Sequence, residues 1–272
     1  MKTLLYIALL CTAFLNIGCE DTVHVDLDTA PSRLVIDAQL DWQKGTDGSQ
    51  QTIKLSMTTG YYEYLYPAVS GAEVTVTNSS NTVFTFTETP GTGNYVCNDF
   101  VPVIGEKYTL TIQTGGQTYT ASETLIGVPE IDYVNQSNEG GFEGDEIEVK
   151  YYFNDNGAED NFYMTSAIAP VLPYPDYDVW DDEFTQGNQN FGYFSHEDLT
   201  PGQQLKLTLY GISEPYMNYM NILLQAASGD GGPWQTTPAN VRGNIVNQTN
   251  KTNFALGYFR LSEVDRLEYT IQ

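Results

Sequence analysis

An all-β chain with one helix, arranged as two β-sandwich-like domains, is what this 272-residue sequence predicts. Three observations carry the expectation. Apolar and polar residues alternate with a period of two in short runs such as Ile53-Lys54-Leu55-Ser56-Met57 and Ile147-Glu148-Val149-Lys150-Tyr151, the pattern of a strand with one buried face. Turn chemistry separates these runs, and a single segment shows helical spacing.

The chain opens with an export signal. Lys2 is followed by a mainly apolar run from Leu4 to Ile17 and then Gly18-Cys19, a run shorter than the roughly 20 residues that span a bilayer. Leu15-Asn16-Ile17-Gly18-Cys19 resembles a bacterial lipobox, with Asn16 a departure from the usual small or aliphatic residue. Residues 1–18 are therefore expected to be removed and Cys19 to carry lipid, holding the body to a membrane through two or three acyl chains. Residues 19–31 read as a tether, in which Thr22 and Thr29 sit in Asp-Thr-aliphatic sequences resembling bacterial O-glycosylation acceptors.

The first domain, residues 32–128, is read as an immunoglobulin- or transthyretin-like sandwich. Its strands are Leu34–Ile36, Ile53–Met57, Val74–Val76, Val83–Phe86, Tyr108–Ile112 and Tyr119–Leu125. Asn78-Ser79-Ser80-Asn81, Pro90-Gly91-Thr92-Gly93 and Gly115-Gly116 supply the turns between them. The second domain, 129–272, starts with Ile131–Val134 and Ile147–Phe153, for which Phe162–Ile168 is the expected hairpin partner. Pro170 to Phe191 has no period and reads as a long surface loop.

Leu205–Tyr210 resumes the strand pattern. Ser213-Glu214-Pro215 then offers a cap, an acid and a first-turn proline, predicting a helix over about 214–228 with Met217, Met220 and Leu224 as its core stripe. Gly229 is the expected stop. Phe254–Arg260 and Leu267–Ile271 are expected as two closing strands.

Composition narrows the function. A formal net charge of -24 argues against nucleic acid and anionic lipid surfaces as partners. The only histidines are His24 and His196, too few for metal-hydrolase or nucleophile–histidine designs, so no enzyme is expected. Gly229-Asp230-Gly231-Gly232-Pro233-Trp234 lacks the lysine and context of a phosphate loop, and no cofactor is expected. Cys97 reads as a small buried strand residue.

Two segments offer ligand chemistry. Asp155, Asn156 and Asp160 present oxygen donors around a glycine, but without the twelve-residue calcium loop a solvated hairpin turn is the better reading. Tyr174, Tyr177, Trp180 and Phe184 mix rings with carboxylates; they form either a binding patch or a lid folded onto its own domain.

Several pieces together resemble a known family. These are Cys19-Glu20-Asp21 followed by Leu34-Val35-Ile36-Asp37-Ala38, Gly71–Val76 with Gly93-Asn94-Tyr95, and Val149 to Tyr163 around Asn154-Asp155-Asn156-Gly157. Further along come Gly232-Pro233-Trp234, Pro238–Val241, Gly243-Asn244-Ile245, then Leu256-Gly257-Tyr258-Phe259 and Ser262. In this order they are similar to Bacteroidota lipoproteins carrying the domain of unknown function numbered 4249. The resemblance implies an outer-membrane, surface-exposed accessory lipoprotein that partners a TonB-dependent receptor in nutrient uptake. It transfers no catalytic residue. A structural or adhesive surface module is the alternative.

Overall fold

The computed structural model describes residues 31–60, 63, 65–227 and 241–272; Cys19, Thr22, Thr29, His24 and the expected helix stop at Gly229 lie outside them. Residues Ser32–Gln272 make one compact unit. The strands are β1 (Leu34–Gln43), β2 (Gln51–Met57), β3 (Glu73–Asn78), β4 (Val83–Thr89), β5 (Asn94–Cys97), β6 (Lys107–Thr114) and β7 (Gln117–Thr124). After these come β8 (Ile131–Gly140), β9 (Glu146–Asn154), β10 (Phe162–Ile168), β11 (Asp176–Asp181), β12 (Gln189–His196) and β13 (Gln204–Ile212). Among the described residues one helix, α1 (Glu214–Ala227), precedes β14 (Val246–Asn247) and β15 (Leu256–Thr270).

Alternation places the first core. Leu34, Ile36, Ala38 and Leu40 of β1 turn the same way as Ile53 and Leu55 of β2. They meet Val74, Val76, Tyr108, Leu110 and Ile112 from the facing strands, as a sandwich requires. Strand β4 serves both layers, pairing through Val83–Phe86 with β3 and through Thr87–Thr89 with β5. The Gly115-Gly116 turn joins β6 to β7 with φ of 56° and 70°, the left-handed geometry of a two-residue hairpin.

The second core lies between strands β10, β13 and β15 and a separate three-stranded sheet in the order β12-β9-β8. Tyr163, Leu205, Leu207 and Leu209 face Val149, Tyr151, Phe153 and Phe194 across it. The opposite face of β10, β13 and β15 is covered by α1 through Tyr216, Met217 and Met220, with Leu224 half-buried beside them. Ser213 caps this helix, its Oγ accepting from the Tyr216 N–H at 3.4 Å. Beneath it Arg260 is buried between the rings of Tyr210 and Tyr216, and its Nη2 donates to Asp41 at 2.8 Å.

The structure corrects four expectations. Phe162–Ile168 is not the hairpin partner of Ile147–Phe153: β10 pairs with β11 and β13, and β9 with β8 and β12. Residues 155–161 instead carry the chain across the sandwich, so Phe153 and Tyr163 meet face to edge at 5.0 Å. Strand β10 is buried on both faces from Tyr163 to Ala167, so its residues carry no alternation that would tell which strand lies beside it. Residues 170–191 are not one loop, because β11 and the start of β12 lie within them. In β11 only Val179 is buried, and such a strand has no apolar period to read.

The two expected closing strands are one. Leu256 to Val264 of β15 runs parallel to β1, and Val264 to Thr270 runs antiparallel to β13. The change of core falls between Leu125, in the first, and Val128, in the second, so Val128, expected in the first domain, packs with the second. Yet the division is not sequential: Ile245, Ala255, Phe259 and Leu261 return to fill the first core.

Candidate functional site

On β9 and β12 the alternation that buries Tyr151, Phe153 and Phe194 turns Lys150, Tyr152, Phe191 and Tyr193 outward. Solvent-facing strand positions are ordinarily polar, yet three of these four are aromatic. Tyr152 pairs in register with Tyr133 on one side and Phe191 on the other. The three rings therefore form a row across all three strands, Tyr133 stacked on Tyr152 at 4.6 Å and Tyr152 tilted against Phe191 at 5.6 Å. Phe191 and Tyr193 keep 45% and 55% of their surface exposed.

Polar groups frame the row. Tyr133 Oη donates to Gln189 Oε1 at 3.1 Å. Lys150 lies 5.2 Å from the Phe191 ring and 2.7 Å from Glu148 Oε1, and its hydrogen bond to Glu148 raises its pKa above the ordinary lysine value. Phe142, fully exposed, Lys150, Phe191 and Tyr193 line one shallow cavity of about 350 Å³. On the other side of Phe191 a second cavity of about 320 Å³ opens between β11 and β12, lined by Asp178, Trp180, Asp181, Phe184 and Asn190 among others.

This surface can stack, bury apolar area and hydrogen-bond at its rim. His196 Nδ1 accepts from the Asp198 N–H at 3.1 Å, which closes the turn after β12. Among the described residues no group of three or more His, Cys, Asp or Glu side chains is placed to hold a metal ion. Asp155 accepts from the Tyr163 hydroxyl and from the Gly187 N–H, so it ties β10 to the turn before β12. Asn156 Nδ2 donates to Glu159 at 2.9 Å, and Asp160 is exposed. The segment expected as a hairpin turn is thus a crossing between sheets.

The four rings Tyr174, Tyr177, Trp180 and Phe184 are not brought together. Tyr177 pairs with Ser166 and Trp180 with Tyr163, which puts them on opposite faces of β11. Burial on the α1 side pushes the Tyr177 hydroxyl up to about 12. Trp180 is half-buried against the second core, 6.1 Å from the Tyr163 ring. Tyr174 and Phe184 are exposed beyond the two ends of the strand. Trp180 and Phe184 line one cavity.

Tyr133, Tyr152, Phe191 and Tyr193 were not singled out from sequence. The signal existed in Lys150-Tyr151-Tyr152-Phe153 and Phe191-Gly192-Tyr193-Phe194, where aromatic residues occupy both parities. The parity that faces water follows only from the sheet partner.

A family model described as "Domain of unknown function (DUF4249)" matches residues 20–268. No curated protein matches the chain. Among solved structures, two fibronectin type-III domains of chicken tenascin are similar at 12% identity and a TM-score of 0.21, covering 60% of this chain and 85% of that one. A DUF4785 family protein of Legionella pneumophila is similar at 11% identity and a TM-score of 0.27, covering 65% and 52%. The FN1–FN3 domains of chicken CNTN1 are similar at 14% identity and a TM-score of 0.25, covering 65% and 62%.

Proposed function

Since the chain belongs to the DUF4249 family, we propose that it is a lipid-anchored accessory binding subunit of a TonB-dependent nutrient uptake system, facing the cell exterior from the outer membrane. The anchor is lipid on Cys19. Among the described residues no helix is long and apolar enough to cross a membrane. The body binds and does no chemistry of its own.

The single observation that carries this reading is the row of Tyr133, Tyr152 and Phe191 on the outer face of the small sheet. A contiguous row of exposed and half-buried rings framed by polar groups has the anatomy of a protein contact surface, where aromatic anchors supply most of the affinity. The receptor docks on this face. A mild-detergent pull-down from the native outer membrane tests it. The unaltered protein recovers a TonB-dependent receptor, and Phe191→Ser weakens that association by about thirtyfold, equivalent to ~2 kcal/mol. Cys19→Ala abolishes acyl labelling and releases the protein from the membrane. Failure of the unaltered protein to recover any receptor contradicts the reading.

A further inference from the structure

The described strands end in four free edges, β11, β14, β12 and β8. Exposed edges are templates for pairing, and proteins blunt them with charge, bulges, proline or brevity. Strand β14 has two residues. Strand β8 is broken by register shifts at Ile131/Tyr133 and Ser137/Gly140. Strand β11 carries Asp176, Asp178 and Asp181. Strand β12 has none of these protections: its eight residues, QNFGYFSH, contain no lysine, proline or carboxylate, and they pair with β9 without a register shift.

We propose that the free edge of β12 accepts an extended segment of a partner protein as an added strand, with lysine or arginine at alternate positions of that segment. Three features select this occupant. Every second residue of β12 points its N–H and C=O away from β9, and an extended backbone is the group that satisfies such a row. A strand added there alternates its side chains between the outer face, beside Phe191 and Tyr193, and the cavity between β12 and β11. In that cavity stand Asp178 and Asp181, which no lysine or arginine pairs among the described residues. Cations on the inward parity complement them.

Asn190 supplies the third feature. It lines the same cavity, is only 7% exposed, and its Nδ2 has no hydrogen-bond partner. A buried donor without an acceptor is costly to leave unmet, and an incoming carbonyl oxygen would meet it. Pairing of β12 with a second copy of this chain is disfavoured, because it would bring two sets of Asp178 and Asp181 together in a molecule of net charge -24.

This inference deepens the binding reading above by naming how the partner is held, and its test needs no receptor. A fluorescent ten-residue peptide alternating lysine with valine is titrated into the purified full chain, and anisotropy is recorded. Binding is expected, with about a tenfold loss in Asp178→Asn/Asp181→Asn and a further loss at high salt. N-methylation of alternate amides of one parity in the peptide should abolish binding, and of the other parity leave it intact. A glutamate–valine peptide should not bind. No binding of the lysine peptide, equal binding by the glutamate peptide, or indifference to N-methylation of both parities overturns the proposal. So does a dimer of the unaltered chain in sedimentation that Tyr193→Lys dissolves, since a second copy then owns the edge. Receptor recovery in the pull-down stands or falls separately.

Discussion

Asp182 is 2% exposed and its Oδ2 has no hydrogen-bond partner; burial, with Asp155 and Asp160 nearby, raises its pKa above the ordinary 3.8. A carboxyl whose folded pKa is raised binds its proton more readily in the folded state. Its contribution to stability is therefore fully present below pH 3.8 and lost as pH rises through the folded value. Asp182→Asn is expected to be more stable than the parent at neutral pH by about 1 kcal/mol, with the two melting curves converging as the solution is acidified. Cys97 behaves in the same direction for a different purpose. Buried at the end of β5 beside Asp99, its thiol is pushed up to about 11 by burial first, so little thiolate forms near neutrality. A maleimide reagent should label the folded protein negligibly and the urea-unfolded protein fully. The buried role of Cys97 was legible because a small apolar residue in a strand run has few alternatives. Tyr152 and Phe191 were not, because an aromatic residue in a strand reads as core until its sheet partner fixes which face it occupies.

Strand β15 is where an element could not be read. Its two expected halves, 254–260 and 267–271, each have a pattern of their own, but Leu261, Ser262, Glu263 and Val264 between them are all buried. The strand changes partner from β1 to β13 at Val264, and no local pattern announces a change of neighbour. The helix was legible to the residue at its start because Ser213, Glu214 and Pro215 act locally. Ser213→Ala is expected to cost about 1 kcal/mol of stability in urea unfolding. Gly257, with φ of 97°, lets β15 approach β1; a Cβ there would lie 2.0 Å from the Ile36 carbonyl oxygen. Gly257→Ala should cost more than about 2 kcal/mol, since neither backbone can give way without breaking the parallel pairing.

In the whole molecule the two cores are joined by a strand common to both. Removing residues beyond 128 strips β15 from β1 and takes Phe259 and Leu261 out of the first core. A fragment of residues 30–128 is therefore expected to melt without cooperativity and to bind an apolar dye, whereas the full chain unfolds in one transition. This joint core holds the small sheet with its rings outward. On the proposed reading, Tyr133, Tyr152, Phe191 and Tyr193 meet a partner in the native membrane. Hydroxyl-radical footprinting compares these rings in the purified full chain and in intact outer membranes, with the exposed Tyr66 as a control. All four are expected to be oxidised in the purified protein and protected in the membrane, while Tyr66 is oxidised in both. Equal oxidation of the four rings in the two samples would contradict it.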